Sequence, residues 1–156
     1  MFTRFAALFV YALVFIGATL VGAAPMHQHV ARQIGDLQCN IDRLKIVGDI
    51  FQASQTTKTL TNQLASDPAN AALVSTVSEG LSNASSGIGD IATALFTGQQ
   101  APAASRTQVE DGLNSAFTAA NSITSTNTAV TNNVNKLKSE LQAAGQAGDG
   151  VLTNCN

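Results

Sequence analysis

Aromatic side chains are nearly missing from this chain: it has no Trp, one Tyr and seven Phe in 156 residues, and past residue 23 only Phe51, Phe96 and Phe117 remain. Proteins that grip sugars or single-stranded nucleic acids rely on aromatic stacking platforms, so this scarcity argues against both ligand classes. Histidine is as rare. His27 and His29 stand together in Met26-His-Gln-His29, where two imidazoles on a tail make a copper site only with further ligands, and the rest of the chain has no imidazole for acid–base work.

Charge is scarce too. Charged residues make up 12% of the chain, eight basic against ten acidic, which argues against a phosphate-binding surface and hence against nucleic acid as a partner. The carboxylates Asp36, Asp42, Asp49, Glu79, Asp90, Glu110, Asp111 and Glu140 are spread along the chain and read as solvated outward positions. No paired acid and base, serine nucleophile elbow, phosphate-cradling Gly loop or zinc signature is present. The expectation is a protein that is not an enzyme, with no catalytic residue, cofactor or metal site.

The first thing the chain does have is an apolar run from Phe5 to Val21 behind the basic Arg4, closing on Val21-Gly-Ala23 before Ala24-Pro25. The run is short for a membrane anchor, and its small-residue end reads as a signal-peptide cleavage site after Ala23. Residues 1–23 are therefore a predicted signal peptide, residues 24–32 a flexible tail, and residues 33–156 a single domain. The last residues, Val151 to Asn156, carry no hydrophobic stretch of glycolipid-anchor length, so the expected product is secreted and extracellular, with no transmembrane anchor after processing. In an oxidising compartment the isolated pair Cys39 and Cys155 reads as a disulfide tying the tail to the first helix; neither has a histidine at a spacing that suggests a catalytic thiol.

The domain itself is written in helical periods. Val109, Leu113, Ala116, Ala120, Ile123, Asn127, Val130, Val134, Leu137, Leu141 and Ala144 advance by alternating steps of four and three, one side of a helix. Ser105 and Gln108 form an expected capping box at its start, Gly145, Gly148 and Gly150 an expected end, and the Thr, Ser and Asn between Ser122 and Asn133 a place where it would break. Upstream, Asp67-Pro68 reads as a cap and first helical residue, and Val74, Val77, Leu81, Ala84, Ile88, Ile91 and Leu95 carry a second stripe up to Gly98. Gly80, Gly87 and Gly89 imply either a kink in that helix or close packing against another. The first helix shows Ile34, Leu37, Ile41, Leu44, Val47, Phe51, Leu60 and Leu64 on one side and Cys39, Ile46 and Ile50 nearly opposite, so neighbours on two faces are expected, with Val151 and Leu152 covering the second. Its polar stretch Gln52 to Thr61 suggests a bend. No run alternates as a strand does. The fold class is all-α, an antiparallel bundle of three to five amphipathic helices closed by one disulfide, with an extended coiled coil as the alternative.

The three Phe residues read as core among aliphatic stripes; the sharper alternative has Phe51, Phe96 and Phe117, with Ile123, lining an apolar ligand pocket between helices. Asn83-Ala-Ser85 is the single N-glycosylation sequon, with Asn83 off the apolar stripe. With stretches such as Ile88-Gly-Asp-Ile-Ala-Thr-Ala-Leu-Phe-Thr-Gly98 and Ala101-Pro-Ala-Ala-Ser105, residues 33–145 resemble the fungal small secreted proteins of the hydrophobic-surface-binding and cell-wall galactomannoprotein type. The resemblance implies helical bundles that adsorb to hydrophobic surfaces, some holding lipid between their helices, in an extracellular, cell-wall-associated setting. This chain departs from it in the Cys39/Cys155 pair and in lacking a Ser/Thr-rich anchoring tail. Two rival readings remain: a secreted effector-like protein that regulates through a protein partner, and an extracellular lipid carrier.

Overall fold

The computed structural model describes residues 37–155, so the signal segment 1–23, the tail 24–32 with His27 and His29, and Ile34 lie outside the described residues. Four helices follow one another: α1, Leu37–Gln63; α2, Pro68–Phe96; α3, Ala103–Ser122; and α4, Thr128–Asn154. No strand occurs among the described residues. Each helix touches its two neighbours in a ring, α1 with α2 and α4, α3 with α2 and α4, while the diagonal pairs do not meet. This is an antiparallel four-helix bundle. The packing is uneven: α2 lies closely along α3, α1 closely along α4, and the seams between these two pairs are sparser.

Local chemistry sets the helix ends. Asp67 caps α2, accepting from the backbone N–H of Asn70 at 3.2 Å, and Pro68 occupies the first turn, where its missing N–H costs nothing. The other end of α2 closes with Gly98 at φ 72°, the N–H of Gly98 donating to Leu95 and that of Gln99 to Ala94, the paired bonds of a Schellman motif. Asn127 ends the ambiguity over the long stripe. The chain breaks at 123–127, and the Asn127 side chain accepts from the N–H of Ala129 at 2.9 Å as the cap of α4. The expected capping box at Ser105 does not form: α3 already starts at Ala103 after Pro102, with no side-chain cap, and Ser105 is buried inside the first turn. Nor do the Thr residues of α1 break it. Ser54, Thr57, Thr59 and Thr61 each donate a hydroxyl hydrogen to the carbonyl four residues back, so the polar stretch is satisfied within an unbroken helix.

Two of the three α2 glycines are there for close approach. A Cβ on Gly80 would meet the Gly112 carbonyl oxygen at 2.5 Å, and one on Gly112 would meet that of Gly80 at the same distance. Gly87 faces the Ser105 carbonyl in the same way, whereas Gly89 looks into open space. The glycines of α4 do not end it: Gly145, Gly148 and Gly150 all lie within the helix, which finishes at Asn154, and of the three only Gly150 is a close approach, with its α-carbon against the Asp42 carboxylate of α1.

The core is the expected stripe and more. Val109, Leu113, Ala116, Ala120, Ile123, Val130, Val134, Leu137, Leu141 and Ala144 are all buried, as are Val74, Val77, Leu81 and Ala84. Helix α1 corrects the sequence reading. Its inward face is Cys39, Ile46, Ile50, Ala53, Thr57, Leu60 and Leu64, and only this face is covered; Leu37, Leu44, Val47 and Phe51 point outward. The face expected to lie under Val151 and Leu152, that of Cys39, Ile46 and Ile50, is covered with α4 packed along it; within that helix Val151 is half-buried and Leu152 exposed. The assignment of all three Phe residues to the core also fails: Phe51 and Phe96 are exposed, and only Phe117 packs against the core.

The ends of the bundle are fastened separately. At one end the Asn70 amide donates to the Thr124 carbonyl at 2.9 Å and accepts from the Thr124 N–H at 3.3 Å, joining the α1–α2 and α3–α4 turns. At the other, the disulfide Cys39–Cys155 spans 116 residues of sequence and joins α1 to α4. Closing so long a loop contributes on the order of 4–5 kcal/mol in the chain-entropy model. The glycine seam gives a direct test by thermal and urea unfolding. Gly80→Ala or Gly112→Ala should lower stability by about 1–3 kcal/mol, because backbone must move away from backbone. Gly89→Ala, with free space and a better helix former, should raise it by about 0.5–1 kcal/mol.

Candidate functional site

The most distinctive surface belongs to α1. Leu37, Leu44 and Phe51 follow one another at intervals of seven residues, which places them along one line of the helix, with Val47 beside it. Their exposures are 74%, 73%, 64% and 48%, high for large apolar side chains on the middle and start of a long helix. Two more exposed apolar residues lie toward the same end of the bundle: Phe96 at the last turn of α2 and Leu152 three residues before the disulfide-bonded Cys155. Ile41, between Leu37 and Leu44, is half-buried.

The residues expected to line an apolar pocket do not come together. Phe51 and Phe96 point into solvent from different helices, Phe117 packs on the core, and Ile123 is buried just past the end of α3. The groove that does open between α1 and α2, about 600 Å³, is lined by Ser54, Thr57, Lys58, Ser78, Leu81 and Ser82 among others. It is a hydroxyl-rich surface. The Ser54 and Thr57 hydroxyl hydrogens are already given to their own helix. A second, shallow depression between α2 and α3 has Asn83 on its rim with Thr107, Asp111 and Ser115. Asn83 is exposed there, in the middle of α2.

Two carboxylates read as outward are inside. Asp42, 4% exposed, sits beside the disulfide and accepts from the Asn154 amide at 2.8 Å and the Gln38 amide at 3.0 Å, with the Lys45 amine at 3.7 Å. The Asn154 hydrogen bond, followed by those of Gln38 and the Lys45 charge, holds its pKa below the ordinary carboxylate range against the opposing effect of burial. Gly150 leaves the room this arrangement needs, since a Cβ there would meet the carboxylate at 2.8 Å. Asp42 is thus a clasp between the first turns of α1 and the last turn of α4. Asp67 is lowered too, first by the Asn70 side chain and then by its backbone N–H.

Glu140 is different. It is 8% exposed, neither carboxylate oxygen has a hydrogen-bond partner, and its one ionic neighbour is the exposed Lys136 amine at 3.8 Å. Its position was legible: 140 falls three after Leu137 and four before Ala144, on the buried side of α4. Among the described residues no three His, Cys, Asp or Glu side chains gather as a metal site, and no helix is long and apolar enough to cross a membrane.

No family model, curated protein or solved structure matches this chain. The surface must therefore speak through its own chemistry.

Both buried acids make predictions. Asp42 keeps its charge in the folded state at pH values where the unfolded chain takes up a proton, so its ionised form favours folding above the ordinary value of 3.8. That contribution disappears as pH falls through the lowered folded-state value. Urea unfolding across acid pH should show wild type more stable than Asp42→Asn near neutrality, with the gap closing as the solution is acidified. Glu140→Leu, which removes a buried carboxylate that lacks hydrogen bonds, should raise the melting temperature, the opposite of what a stabilising ion pair would give.

Proposed function

We propose that this chain is a non-enzymatic secreted protein that binds hydrophobic surfaces through an amphipathic helix, in the manner of the fungal hydrophobic-surface-binding and cell-wall galactomannoprotein type it resembles. The observation that carries the reading is the uncovered row Leu37, Leu44, Val47 and Phe51 on α1. A soluble bundle gains nothing for its own stability from large apolar groups held in water, and such rows mark contact surfaces. The core is closed on its other side by the disulfide and by the Gly and Ala seams, so the row is available without any opening of the bundle.

This sharpens the sequence-based expectation in one respect. The stripes of α2, α3 and α4 supply the interior, and the adsorbing face is the other side of α1. Phe96 and Leu152 extend the apolar character toward the disulfide end.

Incubation of the purified, oxidised protein with octyl-coated beads tests the proposal. The protein should bind with its helix content retained. Each exposed Leu or Phe is worth about 1–2 kcal/mol when taken out of water, so the double substitution Leu44→Ser, Phe51→Ser should weaken adsorption by at least about tenfold. Because these side chains are exposed, the same variant should change folding stability by no more than about 0.5 kcal/mol. Recovery of all the wild-type protein in solution would sink the reading.

A further inference from the structure

The four helices form two tight pairs that are joined at one end only. The α1–α4 pair is fastened by the Cys39–Cys155 disulfide and the Asp42–Asn154 hydrogen bond at one end, and at the other by the Asn133 amide donating to Gln63 at 3.0 Å. The α2–α3 pair is held by the close backbone contacts at Gly80 with Gly112 and at Gly87 with Ser105, and by the chain itself through residues 97–102. Between the pairs the chain crosses at 64–67 and at 123–127, both at the end where Asn70 bonds to Thr124. The disulfide lies wholly within one pair and does not tie it to the other.

Burial fades along the sparse seams between the pairs. On α2, Val74, Val77, Leu81 and Ala84 are buried, while Ile88, Ile91 and Leu95, farther from Asn70, are half-buried. On α1, Leu60 and Ala53 are buried and Ile41, near the disulfide, is half-buried. Ser54, Thr57, Thr61 and Ser85 line the α1–α2 groove, and each gives its hydroxyl hydrogen to a carbonyl of its own helix, so parting the walls breaks none of these bonds. Val47 and Phe51 stand one heptad before Ser54 and Lys58 of the same wall, which sets the exposed row at the edge of this seam.

We propose that contact with an apolar surface parts the bundle into these two pairs, hinged at the Asn70–Thr124 end with the disulfide intact, so that Ile88, Ile91 and Leu95 of α2 reach the surface beside the α1 row. The inference rests on the adsorption reading above and adds a conformational step to it. The connections set the direction of opening. Parting at the Asn70 end would stretch both crossings of the chain and break the Asn70 bonds, whereas parting at the disulfide end strains neither, and short links at helix ends absorb the turn. In water the closed form is favoured, because the inner faces of both pairs would otherwise be hydrated. On an apolar surface those faces exchange one apolar contact for another, and the surface draws the molecule toward the form that offers it more area. Each pair stays whole, since the disulfide crosses one and the glycine contacts the other.

Spin labels carried on p-acetylphenylalanine, which spares the disulfide, read this movement by pulsed electron paramagnetic resonance, in solution and on octyl-coated beads. Exposed sites serve for all the labels. Thr93 with Gln146 spans α2 and α4 toward the disulfide end, Thr76 with Thr131 spans the same two helices near Asn70, and Thr93 with Thr107 lies within the α2–α3 pair. On the beads the Thr93–Gln146 distance should lengthen by about 10 Å, one helix diameter. The other two distances should keep their solution values. Bead-bound protein with all of its distances unchanged would overturn the proposal. So would a longer Thr93–Thr107 distance, since α2 and α3 would then have separated, or a longer Thr76–Thr131 distance, since the bundle would then have come apart without a hinge. The same beads separate the two levels of argument. Protein that adsorbs with its distances unchanged refutes the opening alone; protein that stays in solution removes the adsorption reading and the opening with it.

Discussion

The backbones of α2 and α3 touch at Gly80 and Gly112, each glycine resting against the other's carbonyl, and the rest of the architecture follows from helices allowed to come that close. Dispersion forces reward such proximity along the whole seam, with Ala84, Ala116 and Ala120 completing it above and below. The α1–α4 pair is lined by small residues too, Ala53, Ala144 and Ala147, with Gly150 against the Asp42 side chain. A bundle built from two tight pairs has a narrow interior. Its largest fully buried side chains are Leu60, Leu137, Val74 and Val77, and no aromatic ring is among them. Phe51 and Phe96 are outside for this reason as much as for any functional one.

Narrowness also explains why α1 keeps an uncovered face. Among the described residues the helix has only two neighbours, α2 and α4, and the diagonal α3 does not reach it. Once Cys39, Ile46, Ala53 and Leu60 are turned toward α4 and the core, a second apolar face has no partner among the described residues. The disulfide fixes the choice, because Cys39 must meet Cys155 at the end of α4, and Asp42 holds the same turn to Asn154. Rotating α1 to bury Phe51 would break both.

The sequence showed the four-helix core clearly wherever apolar residues were large. The stripes from Val74 to Ala84 and from Val109 to Ala144 are buried as their spacing requires, and Asn127 interrupts the second where a cap was needed. It misled at α1 for a specific physical reason. The true inward series, Ile46, Ile50, Ala53, Thr57, Leu60 and Leu64, runs in unbroken steps of four and three, but Ala53 and Thr57 do not register as core residues. Threonine belongs there because its hydroxyl is satisfied by the Ala53 carbonyl, leaving a methyl to pack. The outward row, made of Leu, Val and Phe, carries a hydrophobic signal comparable with the inward one and so reads as a second covered face. Glycine was ambiguous in the same way. Gly80, Gly87 and Gly150 are spacers within helices, Gly98 a terminator, and only the partner helix distinguishes the two uses.

The misreading is itself informative about function. A helix with apolar residues on two sides, one forming the core and the other facing water, carries more apolar surface than folding alone requires. Exchanging Leu44 and Phe51 for polar residues costs the core nothing, since neither belongs to it. The same reasoning does not extend to Phe96, which stands at a helix end next to the Schellman turn, where a single exposed ring is unremarkable. Glu140 completes the contrast from within: a carboxylate without hydrogen bonds sits where a Leu would pack, so this chain carries misplaced polarity inside and misplaced apolarity outside. Only the second is arranged in a continuous row along one helix. That arrangement, rather than exposure by itself, makes α1 the surface on which binding is to be sought.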